Sequence, residues 1–269
     1  VFAVFMGLNR VPRWSLAVVV RRWLLLIAVP AGFAWGRLTG AMAGVLVTEA
    51  AVLVTGLALA APHIEPRTIR LSAANLLPHA RFAALVLASA VLQSTFHQGG
   101  PYVVRAATGD FRQVGFFGLA LAVFMAGEAA FVHGSQAFTP FFSRLATRAD
   151  TGALARWLER LLVSMSAAAG LVVIVTAGTA SWLTPAVFGA AFADTAPHLV
   201  VMSCALLLLT PGSLLAPFAI VLERPGFTLR ASLLRLCVFL ALAVPLTRAF
   251  GAVGACSAIL VASLLYSAF

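Results

Sequence analysis

The sequence predicts an all-α protein, a polytopic bundle of transmembrane helices, and three observations carry that prediction. Hydrophobic residues make up 62% of the 269 and charged residues only 10%, against about 25% charged in a soluble domain. Mean hydropathy is +1.04. The charges punctuate apolar runs of about 20 residues, the length a helix needs to cross a hydrocarbon core of about 30 Å.

In chain order, VFAVFMGL at the start reads as the tail of a longer apolar segment, so the chain is expected to lack its true start. Asn9 to Arg22 is basic, and Trp23 to Gly36 is a short apolar helix bounded by Arg22 and Arg37, whose side chains can snorkel. Leu38 to Pro62 is the next span, with Glu49 near its middle and a small-residue stripe at Gly36, Gly40 and Gly44, read as helix packing. His63 to Arg81 reads as a polar cytoplasmic linker, dividing an N-terminal lobe (1–62) from a C-terminal six-helix lobe (82–269).

The centre of the chain is a hairpin from Arg81 to Arg144. Its first arm lacks charge between Arg81 and Arg105, and its second, Val114 to Pro140, carries one acid, Glu128. Pro101 to Gly115 reads as the turn between them. Ser89, Gln93 and His97 recur every four residues and stack on one face of the first arm. Glu128, His133 and Gln136 are expected on one side of the second. A charge at bilayer depth costs at least about 2.5 kcal/mol, so these groups mark a polar lining.

Beyond the hairpin, Phe141 to Arg160 reads as a short amphipathic surface helix. Leu161 to Thr179 is a span and Trp182 to Phe192 an interfacial segment. Thr195 to Leu222, Phe227 to Thr247 and Ala249 to Phe269 complete the spans. Assigning loops to alternate sides puts fourteen arginines, including Arg230 and Arg235, on one side and only Arg37, Arg105, Arg112 and Arg248 on the other. The positive-inside rule makes the first side cytoplasmic. An internal echo also appears: AVP at Ala28 to Pro30 followed by Arg37, Gly40 and Gly44, and AVP at Ala243 to Pro245 followed by Arg248, Gly251 and Gly254. Paired Pro-interrupted helices are a sign of a repeat-built transporter.

Several classes are excluded. All the basic residues are arginine, and they do not cluster as a nucleic-acid-binding face would require. Cys204, Cys237 and Cys256 lie far apart in apolar runs and read as packing residues. The histidines form no HxxxH or HxH pair, so neither metal nor cofactor is expected, and no P-loop, dinucleotide fingerprint or GxSxG elbow is present.

Three stretches resemble polysaccharide flippases of the multidrug/oligosaccharidyl-lipid/polysaccharide exporter superfamily. They are RAATGDFRQVGFFGLALAV (Arg105 to Val123), LTPAVFGAAFADTAPHLVVM (Leu183 to Met202) and the Arg-x-x-Gly pair at Arg37 and Arg248. The resemblance implies two pseudo-repeated lobes around a central cavity, the first incomplete here, and alternating access in a bacterial inner membrane. The cargo implied is a polyprenyl-diphosphate-linked oligosaccharide for polysaccharide or lipopolysaccharide biosynthesis; membrane lipids and polysaccharide-assembly proteins are the other expected partners. Such cargo needs cations for its diphosphate and amide or hydroxyl groups for its sugars. Arg105 and Arg112 are the candidates for the first, and Ser89, Gln93, His97 and Gln136 for the second. Glu128 and Glu49 are the candidates for proton coupling. The alternatives are a multidrug or cation-coupled exporter using Glu49 and Glu128, and a membrane-embedded polymerase or ligase, which the short outer loops disfavour.

Overall fold

A computed structural model describes residues 11–60, 73–147, 151–222 and 224–269. Among them it is helical throughout, with no strand, as the composition requires. The elements are α1 (Val11–Ala60), α2 (Ala73–Thr108), α3 (Phe111–Ala137), α4 (Thr139–Thr147), α5 (Thr151–Phe188), a 3-10 helix (Ala190–Thr195), α6 (Ala196–Val221), α7 (Pro225–Phe250) and α8 (Ala252–Ala268). Five helices among the described residues are long and apolar enough to cross a membrane. Many large apolar side chains are left exposed, Trp35 at 96% being the extreme, which is what lipid-facing helices show. This is a multi-pass membrane protein. The chain forms two units, Val1–Leu76 and Leu77–Phe269.

In the first unit α1 folds back on itself at Gly36 and Arg37, where Arg37 adopts φ 52, ψ −133. The two arms touch backbone to backbone. A Cβ on Gly40 would lie 1.9 Å from the Gly32 carbonyl oxygen, and one on Gly44 would lie 2.4 Å from that of Ala28. Only glycine permits such an approach. The expected small-residue stripe therefore does pack helices, but through Gly40 and Gly44; Gly36 sits at the bend with nothing near it.

The second unit repeats this hairpin as α7 and α8. Gly251 between them has φ 64, ψ −149, close to the values at Arg37. A Cβ on Gly254 would lie 2.0 Å from the Leu246 carbonyl oxygen, as one on Gly40 would from that of Gly32. Arg37 thus corresponds to Gly251 and Gly40 to Gly254, both at one offset of 214 residues. The echo read from the two AVP triplets is in the wrong register: their prolines are one position out of step, and Arg248 is not the counterpart of Arg37. At the corrected offset GAMAGVLV (Gly40 to Val47) lies on GACSAILV (Gly254 to Val261), and Arg21 lies on Arg235.

Around that hairpin the core of the second unit is built from Phe96, Phe117, Phe124, Met202, Leu209, Phe239 and Ile259. On α8, Ala252, Ala255, Cys256, Ala258 and Ala262 are fully buried, and small side chains there let α6 and α7 approach closely. Cys256 packs as expected, whereas Cys237 is exposed and does not.

Four boundaries differ from expectation. Residues 73–81, read as linker, open α2; residues 61–72 lie outside the described residues. The turn between α2 and α3 is only Gly109 and Asp110, because Gly109 at φ 68 ends one helix and the Asp110 carboxylate caps the next by accepting from the Arg112 N–H at 2.8 Å. Thr139–Thr147 is the short helix α4, and the rest of the expected surface helix is the first part of α5. That helix runs unbroken through Thr179 to Phe188, since no residue before Gly189 (φ 91) can stop it and Pro185 sits in its final turn. At about 1.5 Å per residue α5 spans roughly 57 Å, so its charged start, Arg156 to Arg160, extends past the apolar layer. α2, finally, is not among the five helices long and apolar enough to cross a membrane. Gln93, Ser94, Thr95, His97 and Gln98 put a polar belt at its middle.

Candidate functional site

Gln93 and His97, one helical turn apart on α2, both reach Glu128 on α3. The Gln93 amide donates to Glu128 Oε1 at 3.2 Å, and His97 Nε2 lies 2.7 Å from Oε2. From α7, Arg235 Nη1 donates to Oε1 at 3.1 Å. Glu128 is 5% and Arg235 3% exposed. One carboxylate therefore joins three helices: Oε1 accepts two hydrogen bonds, while Oε2 is close to His97 Nε2 without a hydrogen bond of good geometry to it or to any other described residue.

Aromatic rings wall the cluster. The Arg235 guanidinium carbon lies 4.0 Å from the centre of the Phe96 ring and 5.4 Å from that of Tyr266, so cation–π attraction supplements the ion pair. Phe96 meets Phe239 edge to face at 5.1 Å, and Phe124 stands 6.5 Å from the His97 ring. Arg235 Nε and Nη2 are buried without a partner among the described residues. With His97 neutral the cluster sums to zero charge; with His97 protonated it gains one positive charge in an apolar surround.

The repeat explains where Arg235 comes from. Its counterpart Arg21 is held within its own hairpin by Glu49, with Nε 2.9 and 3.1 Å from the two carboxylate oxygens. At the position of Glu49 the second hairpin has Ser263, whose hydroxyl is buried and unpartnered among the described residues. The cation is kept in both copies. Its acid sits in the same hairpin in the first and on α3 in the second.

The structure places the expected site residues as follows. Glu128 does not line an open space but is enclosed, with Oε1 accepting from Gln93 and Arg235 and Oε2 making only the close approach to His97. His133 and Gln136 do not share its surroundings: they face each other, His133 Nδ1 to Gln136 Oε1 at 3.2 Å. Ser89 is buried and donates to the Leu85 carbonyl of its own helix. Arg105 donates to the Gly109 carbonyl and stacks on Phe111 at 3.7 Å, and Arg112 pairs with Asp194 at 2.9 Å. Glu49 is paired as above.

Arg235 was missed as a site residue because it was counted among the cytoplasmic flanking arginines. It lies ten residues inside α7, about 15 Å along the axis. The correct repeat register, which puts it on Arg21, was the signal that could have found it. His198 was also missed; it is buried against Phe116, with Nδ1 3.0 Å from the Asp194 carbonyl. No group of three or more His, Cys, Asp or Glu able to hold a metal occurs among the described residues.

No protein-family model, characterised protein or solved structure matches this chain. Fold and site together define a multi-pass helical membrane protein that carries a repeated hairpin and a buried ionic cluster.

Proposed function

We propose that the protein is a flippase of the bacterial inner membrane, moving a polyprenyl-diphosphate-linked oligosaccharide to the outer leaflet for polysaccharide biosynthesis. The observation that carries this reading is the Glu128–Arg235–His97 cluster joining α2, α3 and α7 at bilayer depth. A bundle that served only as an anchor has no use for a desolvated ion pair that apolar residues could replace at no loss of stability. A transporter does, because groups of this kind mark substrate and proton pathways.

The coupling step follows from the cluster's charge. Glu128 already holds a permanent cation, so an arriving proton is shared between Glu128 and His97, with Arg235 and, behind it, Tyr266 the other ionisable groups facing them. The added charge loosens Arg235 from Glu128 and with it the tie between α7 and the α2–α3 hairpin. Gln93 keeps the carboxylate oriented. Arg105 and Arg112 act at the outer mouth, where Arg112 must exchange Asp194 for the cargo's phosphate. A cation exporter would need Glu49 and Glu128 free, and each is held by an arginine.

Depletion of the protein in cells tests the reading. Lipid-linked oligosaccharide should accumulate on the cytoplasmic leaflet while surface polysaccharide falls. Unchanged amounts of both would refute it.

A further inference from the structure

Three other arginines of the second unit, Arg81, Arg224 and Arg230, make no ion pair among the described residues. Arg81 and Phe82 on α2 and Arg224, Gly226, Phe227 and Arg230 at the start of α7 line a cleft of about 520 Å³, within the size range of small-ligand sites. All three arginines are exposed, and among the described residues no carboxylate pairs with any of them; Glu223, next to Arg224, lies outside those residues. Arg224 is also the N-cap of α7, with no side chain capping the helix start. Helix starts favour Ser, Thr, Asp or Asn at that position, and a cation there is repelled by the positive end of the helix dipole. An anion in the cleft would remove both anomalies: it would neutralise the arginines and could accept from the Gly226 N–H, since Pro225 has no N–H and the Phe227 N–H donates to the Arg224 carbonyl at 3.1 Å.

The geometry points to a phosphate-binding site in this cleft, taking a phosphate monoester or diphosphate group between the three guanidinium groups, with Phe82 and Phe227 against the apolar part of whatever carries it. The phosphate could come from a lipid headgroup or from free phosphate, and the two are separable. This inference does not rest on the flippase reading, since binding is measured without transport and either can fail alone.

The test uses the purified protein in neutral detergent, titrated separately with inorganic phosphate, short-chain phosphatidic acid and the matching phosphatidylcholine. Arg224→Gln/Arg230→Gln should weaken binding at least about tenfold, since each charge-assisted hydrogen bond lost is worth about that factor. Arg156→Gln/Arg160→Gln removes the same charge from the exposed start of α5 and should change binding less than about twofold. Phosphatidic acid binding alone identifies a headgroup site, and inorganic phosphate binding with the same arginine dependence identifies a site for the free anion. Equal weakening by both variant pairs, equal affinity for phosphatidylcholine, or no binding of any probe would overturn the proposal.

Discussion

Replacing Glu128 by Gln leaves the carboxamide close to the shape of the carboxylate but strips Arg235 of its acidic partner at 3.1 Å. Removing one member of a buried pair costs about 3 to 5 kcal/mol. Glu128→Gln belongs at the upper end, because Arg235 already has two nitrogens without partners and keeps only the Phe96 and Tyr266 rings. Arg235→Met belongs at the lower end, because Glu128 retains His97 at 2.7 Å and the Gln93 amide. In Glu128→Gln/Arg235→Met no charge is stranded, and stability should return to within about 1 kcal/mol of the parent. The double-mutant cycle then has a coupling of about 7 kcal/mol in magnitude, above the range usual for contacting residues because each single variant strands a buried partner. Denaturant titration in mixed micelles, followed by tryptophan fluorescence, measures all four corners. Additive single effects, or single losses below about 0.5 kcal/mol, would refute the pairing.

Three further outcomes follow from the repeat and the charges. Ser263→Asp restores an acid where the first hairpin has Glu49, so it should recover about half of the stability lost in Glu128→Gln, measured in the same titration; no recovery would break the equivalence of the hairpins. Arg37→Gly removes a side chain from a left-handed backbone position that costs about 1 to 3 kcal/mol and should raise the thermal midpoint, whereas Gly251→Ala should lower it, since its Cβ would also meet Gln113 Oε1 at 3.0 Å; the opposite signs would count against the shared turn geometry. Cysteine introduced at Thr108 should react with an impermeant reagent on intact cells and cysteine at Ala149 should not, and the reverse pattern would invert the topology.

The helical class, the multi-pass character and the position of most helices were legible because apolar run length and charge punctuation are one-dimensional signals. The ends were not. Gly109 and Asp110 close the α2–α3 turn in two residues through one backbone angle and one cap, features that composition dilutes over Pro101 to Gly115. At the site, Glu128 and the Gln93–His97 face were visible as polar groups in apolar runs. Arg235 was not, because a charge near an apolar run reads as its boundary until a partner on another helix draws it in. The repeat was detectable but misaligned, since Pro is conspicuous in sequence while the geometry follows the turn residue, which is Arg in one copy and Gly in the other.

Vesicles containing the reconstituted protein and a fluorescent polyprenyl-diphosphate oligosaccharide test the central claim most directly, with an impermeant quencher reporting which leaflet holds the cargo. The account predicts protein-dependent translocation that an imposed proton gradient accelerates. It also predicts that Glu128→Gln/Arg235→Met, folded as stably as the parent, loses that acceleration. Absence of translocation by the parent protein, or an undiminished gradient response in the double variant, would contradict it.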